Sequence, residues 1–408
     1  MKPNAHGRRD RRDALRLLGG GALAAAGFGA CSKAAPSTES ARPDASSGNG
    51  IEGDRSLRVG YLPITDAAPL LAAHARGFFA AEGLDVARPT LLRSWPQVAE
   101  AFQSRQVDLV HLLMPMTIWL RFGQAFPLKV VGWDHVDGSA LTVGLHIASV
   151  DDLAGTTVAV PFWYSVHNVV LQQLLKRSGL RPIIKGDASR PQRTVKLVVM
   201  APPDMPPALA NGSIAGFIVA DPFNALAELN GVGKILRFTG DVWRRHACCV
   251  LTMHEADVTS RPPWVQAAVN AVAKAQQYLR ANRAEAAALL SKDGQGYLPQ
   301  PRQVIERALA DHEATDHAVE GAVRHGDWQS ARIDFEPFPF PSYTEKLVIL
   351  LKDTLVDGDN AFLAGLDPAK VHASLVDDRF ARAAIAAAGG PAGFGIEPGL
   401  DRAETFDP

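Results

Sequence analysis

The segment between residues 158 and 175 constrains the fold most, because its periodicity changes within a few positions. It opens with an apolar, β-branched run, residues 158–160, which is typical of a buried strand. Pro161 ends this run, and leucines then recur at helical spacing from Leu171 onward. The segment therefore predicts a strand, a loop and a helix in succession, which is the repeating unit of a parallel α/β sheet.

The loop of this unit offers a position for a ligand. Ser165 and His167 stand where the predicted loop becomes the helix. Unpaired N–H groups and a partial positive charge allow a helix start to hold an anion. In open α/β sheets, ligands lie beyond the carboxyl ends of the strands. The alternative is that Ser165 only caps the helix and that His167 is a core or surface histidine.

The same alternation recurs along the chain. Strand patterns occur at residues 57–62, 107–113, 130–133, 141–147, 195–200, 216–220 and 251–253, and residues 83–86 lead into a further strand. Helical patterns lie between them and continue at residues 264–290, 305–309 and 343–355. This order predicts an α/β fold with two βαβ-rich lobes and a ligand cleft between them.

The expected domain division follows from this order. Lobe 1 comprises residues 55–143 and 251–390, and lobe 2 comprises residues 144–250. Residues 391–408 form a C-terminal tail.

The N-terminal residues have the features of an export signal. An arginine-rich start precedes a short run rich in Gly and Ala, residues 17–28, as in a signal peptide. Arg11-Arg12 resembles a twin-arginine signal, and residues 28–31 resemble a lipobox with Cys31 as the lipid-modified residue. The alternative is a chance cysteine after an ordinary cleavage site.

Export and anchoring together predict a location. We expect residues 1–31 to be the signal peptide with its lipobox and residues 32–54 to be a flexible tether. The protein is then exported and lipid-anchored, at the outer face of the cytoplasmic membrane or in the periplasm.

Composition and motifs exclude several classes of protein. The net charge of −1 does not favour a nucleic-acid binder, and three cysteines do not provide a disulfide framework. No P-loop, HExxH pattern or Ser-His-Asp order occurs. Cys248-Cys249 near His246 lacks paired C-x-x-C spacing, so buried packing is favoured over a zinc site. We expect no metal, no cofactor and no catalysis.

Several motifs resemble those of nitrate/bicarbonate/sulfonate-type substrate-binding proteins of ABC importers. The match begins with Tyr-Leu-Pro-Ile-Thr-Asp-Ala-Ala-Pro-Leu at residues 61–70 and Arg-Gly-Phe-Phe at residues 76–79. It continues through residues 161–167 and 221–224, so that it covers residues 57 to 385 in all. The resemblance implies a type II periplasmic-binding-protein fold and a monomer. It also implies capture of a small oxyanion for ABC permease and ATPase subunits.

The resemblance also implies site residues. Trp95 and His167 match anion-pocket residues of the nitrate-binding branch, where Arg244 replaces a lysine and Ser139 a glutamine. In the sulfonate branch a hydroxyl at the helix start binds the ligand, a position that Ser165 resembles. The remaining candidates lie near the expected cleft and are Thr65, Asp66, Trp163 and Asp221. The bulky aromatic residues 162–164 could pack against an organic tail.

Two other functions stay open. Pyrimidine-synthesising enzymes of thiamine metabolism share this fold and use histidines and a cysteine-rich motif, so a pyrimidine-binding protein or such an enzyme is an alternative. A sensory binding protein of the same fold that presents its liganded state to a membrane kinase is another.

Overall fold

Two β-sheets organise the part of the chain that the structure, a computed structural model, describes: residues 51, 53–310, 317, 321–326, 328 and 331–408. The expected signal peptide, Cys31 and most of the tether lie outside these residues. The strands in chain order are β1 Val59–Tyr61, β2 Thr90–Leu91, β3 Leu109–Leu113, β4 Leu128–Trp133, β5 Val136–Asp137, β6 Ser139–Val143, β7 Thr157–Val160, β8 Arg181–Ile183, β9 Thr194–Val199, β10 Gly216–Ala220, β11 Lys234–Phe238, β12 Cys249–His254 and β13 Ile333–Asp334.

The first sheet has the strand order β2-β1-β3-β12-β4. Strand β1 runs parallel to β2 and β3, whereas β12 runs antiparallel to β3 and β4. The predicted return of the chain near residue 251 is therefore this antiparallel strand. The second strand, which the sequence predicts after the lead-in at residues 83–86, is the edge strand β2, and Asp85 itself makes an isolated bridge with Ser56.

The second sheet has the strand order β11-β6-β10-β7-β9-β8. Strand β7 runs parallel to β9 and β10, and β6 runs antiparallel to β10 and β11. The expected division placed the residues of β6 in lobe 1, but this strand pairs within the second sheet. Hydrophobic pattern reports that a strand is buried, not which sheet contains it.

Helices cover both sheets and connect the parallel strands. In chain order they are α1 Ala68–Ala75, α2 Phe78–Ala81, α3 Trp95–Gln103, α4 Met114–Ile118, α5 Val166–Arg177, α6 Met205–Ala210, α7 Phe223–Leu229, α8 Thr239–Val242, α9 Glu255–Ser260, α10 Pro262–Ala281, α11 Arg283–Leu290, α12 Arg302–Leu309, α13 Pro341–Lys352, α14 Pro368–Leu375 and α15 Arg379–Ala387. The helical stretch predicted at residues 264–290 is divided at Asn282, whose backbone is not helical.

The core contains large buried side chains from both sheets and their helices, among them Trp95, Trp133, Trp243 and Trp264. None of the described helices is long and apolar enough to cross a membrane. Alongside this apolar core lies a group of fully buried polar side chains, gathered where β1, β4 and β12 meet the second sheet. Burial of so many polar groups in one place is costly unless they are paired or bind something, so this group defines the candidate site.

Candidate functional site

The ends of parallel strands position most of the predicted residues. Thr65 and Asp66 lie in a 3-10 turn after β1, and Trp95 begins α3 after β2. His167 lies in the first turn of α5 after β7, and Asp221 follows β10 directly. The structure therefore places these residues at the sheet edge where ligands of α/β proteins bind.

Thr65 and Asp221 join the two sheets. The amide and the hydroxyl of Thr65 both donate to the carbonyl oxygen of Asp221, at 2.8 and 2.9 Å. The carboxylate of Asp221 binds the guanidinium of Arg332 at 2.8 and 3.3 Å, and Arg332 also binds Glu228 at 3.0 Å. Burial raises the pKa of Asp221, although the charge of Arg332 opposes the shift. Asp221 therefore belongs to an ion-pair network at the junction, and its carboxylate is bound there.

Asp66 forms the centre of the buried polar group. Its Oδ2 lies 2.9 Å from Nε2 of His135 and 3.2 Å from Sγ of Cys249. Burial alone would raise the pKa of Asp66, but the charge and hydrogen bond of His135 lower it. Burial likewise disfavours protonation of His135, yet Asp66 raises the pKa of that ring well above its usual value. The pair is therefore an imidazolium and a carboxylate held in contact.

One further contact tests this assignment. The amide of Cys249 points at the same Nε2 of His135 from 3.2 Å, and a protonated nitrogen cannot accept that hydrogen bond. The contact with Asp66 is shorter and joins a cationic donor to an anionic acceptor. Nε2 is therefore the donor to Asp66.

Cys248 and His167 connect this group to the second sheet. Sγ of Cys248 lies 3.8 Å from Nε2 of His167 and 3.9 Å from Sγ of Cys249. Burial opposes ionisation of Cys248, but the hydrogen bond of Cys249 and the charge of His167 lower its pKa to about 5. Burial raises the pKa of Cys249, and its hydrogen bond to Cys248 acts in the same direction. Of the two thiols, Cys248 is therefore the one that ionises.

Ser139 completes the contact of His167. Its hydroxyl lies 2.9 Å from Nε2 of His167, and both side chains are buried. The carbonyl of Ser139 accepts a hydrogen bond from Thr239 at 3.0 Å, and Thr239 contacts Nε2 of His246 at 2.8 Å. Burial lowers the pKa of His246 to about 3, so this ring is neutral. His246 is therefore neutral, whereas His135 in the same site is cationic.

Sequence reasoning missed three polar residues of the site. His111 is buried within β3, accepts the amide of Leu62 at 2.9 Å, and burial lowers its pKa to about 4. Asp134 and His135 follow β4 directly and are also fully buried. A polar pair directly after an apolar strand was the available signal for these two.

Trp95 and Ser165 have contacts that account for them structurally. The Trp95 ring is buried and packs at 5.6 Å from the ring of His111. The hydroxyl of Ser165 donates to the carbonyl of Phe162 at 2.7 Å and accepts the amide of Asn168 at 3.1 Å, so Ser165 caps α5. Trp95 supports His111, and the single hydroxyl hydrogen of Ser165 is already donated within the α5 cap.

Trp163 and Arg244 are half-buried. The carbonyl of Trp163 accepts a hydrogen bond from Asn168 at 2.9 Å, within the α5 cap. The amide of Arg244 donates to the carbonyl of Thr405 at 3.0 Å, in the C-terminal segment. These backbone contacts do not test the ligand roles of the two side chains, which stay predictions.

The cysteine pair differs from the expectation of simple packing. Both cysteines are buried, but their sulfur atoms contact Asp66 and His167 instead of apolar neighbours alone. Donor atoms of Asp66, His135, Cys248 and Cys249 all lie within 4.8 Å of one another. This set contains thiol, imidazole and carboxylate donors, which together could bind a metal ion.

Comparison with known proteins identifies relatives. The chain is 24% identical over 290 residues to the nitrate/nitrite binding protein NrtA of Nostoc sp., which covers 66% of this chain and 64% of that protein. It is 30% identical over 248 residues to the nitrate import ATP-binding protein NrtC of Synechocystis sp., covering 58% of this chain and 36% of that protein. The chain therefore spans less than two thirds of either relative.

A solved structure shares the fold. The periplasmic nitrate-binding protein NrtA from Synechocystis matches with a TM-score of 0.70 at 20% identity, over 86% of this chain and 94% of that one. This likeness confirms the predicted periplasmic-binding-protein fold. The sequence pattern of the NMT1-like family matches residues 50–291, more than half of the chain. The chain therefore belongs to the NMT1-like family.

Proposed function

We propose that this protein binds a small oxyanion and delivers it to an ABC importer. The observation that carries the proposal is the contact between His167 and Ser139, 2.9 Å apart, at the start of α5. The position combines a helix N-terminus with two side chains that can donate hydrogen bonds, and each of these features favours an anion. The names of the relatives, a nitrate/nitrite binding protein and a nitrate import protein, support the same class of ligand.

Capture depends on closure of the cleft between the sheets. In addition to the Thr65–Asp221 contact, Trp119 stacks on Tyr164 with ring centroids 5.5 Å apart and an angle of 11° between the ring planes. These contacts join elements of the first sheet to elements of the second. An anion that touches both sides binds the closed form more tightly and shifts the equilibrium toward it.

The aromatic residues 162–164 limit the ligand. Tyr164 packs between Trp119 and Phe362, and Phe162 lies 5.7 Å from Trp119. Trp163 is half-buried and also packs against the core, so all three aromatics are used in packing and little aromatic surface remains for an organic tail. We propose an inorganic oxyanion or a short sulfonate as the ligand.

Thermal-shift and calorimetric titrations test this function. The ligands are nitrate, bicarbonate, alkanesulfonates, taurine, aromatic sulfonates and pyrimidines. A true ligand at about 100 times its Kd stabilises the protein by about 2.7 kcal/mol. A shift with a pyrimidine and with none of the anions would overturn the proposal.

Matched variants locate the site. His167→Gln and Ser139→Ala should each weaken anion binding roughly 10–100-fold, the effect of losing one hydrogen bond to a charged group. His372→Gln is the control, because His372 pairs with Thr344 at 2.9 Å on the C-terminal helices. If all three variants bound the anion as tightly as the parent protein, His167 and Ser139 would not belong to the site.

Export, anchoring and partners complete the proposal. The arginine pair and Cys31 support a lipid-anchored protein outside the cytoplasmic membrane. The relative NrtC supports ABC transporter subunits as partners. Cys31→Ser should abolish lipid labelling, and a wild-type precursor that is neither labelled nor sensitive to globomycin would contradict the anchor. The bound ligand should be recovered chemically unchanged, because the protein binds and does not catalyse.

A further inference from the structure

Four donor groups from three strands of the first sheet converge in the buried polar group. Asp66 follows β1, His135 follows β4, and the adjacent Cys248 and Cys249 stand at the start of β12. All four residues are fully buried. Two thiols, an imidazole and a carboxylate are ligands that zinc commonly takes in proteins.

The distances between donors suit one small ion. With Zn–S near 2.3 Å and Zn–N or Zn–O near 2.1 Å, donors around a tetrahedral ion lie roughly 3.4–3.8 Å apart. The two sulfur atoms are 3.9 Å apart, and the Asp66 Oδ2 to Cys249 Sγ distance is 3.2 Å. Oδ2 and Nε2 of His135 are closer, at 2.9 Å. Replacing the shared proton by an ion widens this pair by about half an ångström, a change that side-chain rotation can supply.

Asp134 is a separate sign that the group binds a cation. Its side chain is fully buried beside His135, and neither carboxylate oxygen has a hydrogen-bond partner among the described residues. The second oxygen of Asp66, Oδ1, is in the same situation within that part of the chain. Buried carboxylate oxygens are costly to leave unpaired, and a nearby divalent ion would compensate them.

We propose that Asp66, His135, Cys248 and Cys249 bind one zinc ion. The donor set favours zinc over magnesium or calcium, which prefer oxygen ligands. The ion would join the ends of β1, β4 and β12, and it would lie beside His167, whose Nε2 is 3.8 Å from Cys248 Sγ. The site is defined by its own ligands, so it does not depend on which anion the protein carries.

Metal titration of the tag-free full chain tests the site. Cys31→Ser is present in every sample, so that the only thiols are Cys248 and Cys249. Zinc should bind with a stoichiometry of one in competition with a chromophoric chelator. Cobalt should give thiolate charge-transfer absorption in the near ultraviolet together with intense visible bands of a tetrahedral ion.

Variants distinguish this site from adventitious binding. Cys248→Ser, Cys249→Ser and Asp66→Asn should each lower zinc affinity by more than the roughly 10–100-fold that loss of a supporting group costs. His254→Gln is the matched control, since His254 is buried at the other end of β12 and stacks on Phe102 at 4.1 Å. It should bind zinc as the parent does.

Control measurements distinguish a variant that has lost zinc binding from one that has lost its fold. Zinc should raise the melting temperature of the parent and of His254→Gln but not that of the cysteine variants, and it should protect both thiols from a disulfide reagent. Absence of a thiolate band with cobalt, or equal zinc affinity in the cysteine variants and the parent, would overturn the proposal. The test uses metal alone, so failure to bind an anion would not affect it.

Discussion

Arg332 is fully buried and binds two carboxylates, so its replacement is the sharpest test of how the junction is held. Its guanidinium reaches Asp221 at 2.8 Å and Glu228 at 3.0 Å. The same group lies over the ring of Phe238, 5.1 Å from the ring centre. Arg332→Met keeps a long apolar side chain on that ring and removes the charge. Two acidic groups then lose a shared cation in a buried place.

The expected loss of stability follows from the burial of the ion pair between Arg332 and Asp221. Removing one partner of a buried ion pair costs about 3–5 kcal/mol, because the charge left behind stays out of water. At about 2 °C per kcal/mol for a domain of this size, the melting temperature should fall by about 6–10 °C. Adding Asp221→Asn to Arg332→Met removes one uncompensated charge, so the double variant should be more stable than Arg332→Met alone.

The pH dependence of stability is a second, independent test of this ion pair. Without Arg332, the pKa of Asp221 rises further above its unfolded value, so the variant regains stability as pH falls and this carboxyl binds a proton. The difference between variant and wild type should therefore be largest near pH 7 and should shrink toward pH 5.

Thermal and urea unfolding at both pH values measure this difference. An unchanged melting temperature at pH 7 would refute the reasoning, and so would a gap that widens in acid. Lys129→Met is a suitable comparison, because the ammonium group of Lys129 lies 3.7 Å from Glu255 in a pair that is more exposed. Its loss should cost no more than about 1 kcal/mol.

Three further predictions concern other positions. Ser165→Ala removes the cap of α5 and should lower the free energy of unfolding by about 1 kcal/mol, measured by urea titration. Gly240→Ala places a methyl group 2.6 Å from the carboxyl carbon of Asp137, so it should destabilise by about 1–3 kcal/mol, and a melting temperature equal to wild type would contradict this packing. Burial opposes the shift, but the hydrogen bond of His317 and nearby arginines lower the pKa of Glu228 from 4.5 to about 2. Stability from Glu228 is therefore present above about pH 4.5 and lost as pH falls toward 2, by up to about 3 kcal/mol, and Glu228→Gln should remove that dependence in acid titrations followed by circular dichroism.

Local sequence pattern was sufficient to predict helices and strands but not to predict which sheet each strand joins. The strand, loop and helix around Ser165 appear as predicted, because burial, Pro161 and capping all act within a few residues. The assignment of β6 to the second sheet depended on long-range pairing, which no local pattern contains. The second strand was expected to follow residues 83–86, and the two-residue strand β2 begins only at Thr90, because no local pattern marks so short an edge strand.

The site shows the same limit. His167 and Ser139 were identified through family resemblance, and the structure brings them together across 28 residues. The contact of Asp66 with Cys249 spans 183 residues, and neither residue alone signals the other. Asp134 and His135 stood next to an apolar strand end, where a polar residue is as often a turn residue as a site residue.

The C-terminal residues have a practical consequence for work on this protein. Glu404 accepts a hydrogen bond from the Trp243 ring at 2.7 Å, and Asp407 donates its amide to the carbonyl of Val242 at 2.8 Å. These contacts hold the C-terminal residues against Val242 and Trp243, which shortly precede Cys248 in the chain. Loss of residues 404–407 would therefore remove contacts from the segment that precedes Cys248 and would leave the cleft residues themselves unchanged. An affinity tag is therefore better placed away from residues 404–407, and binding measurements should use protein in which these residues are present.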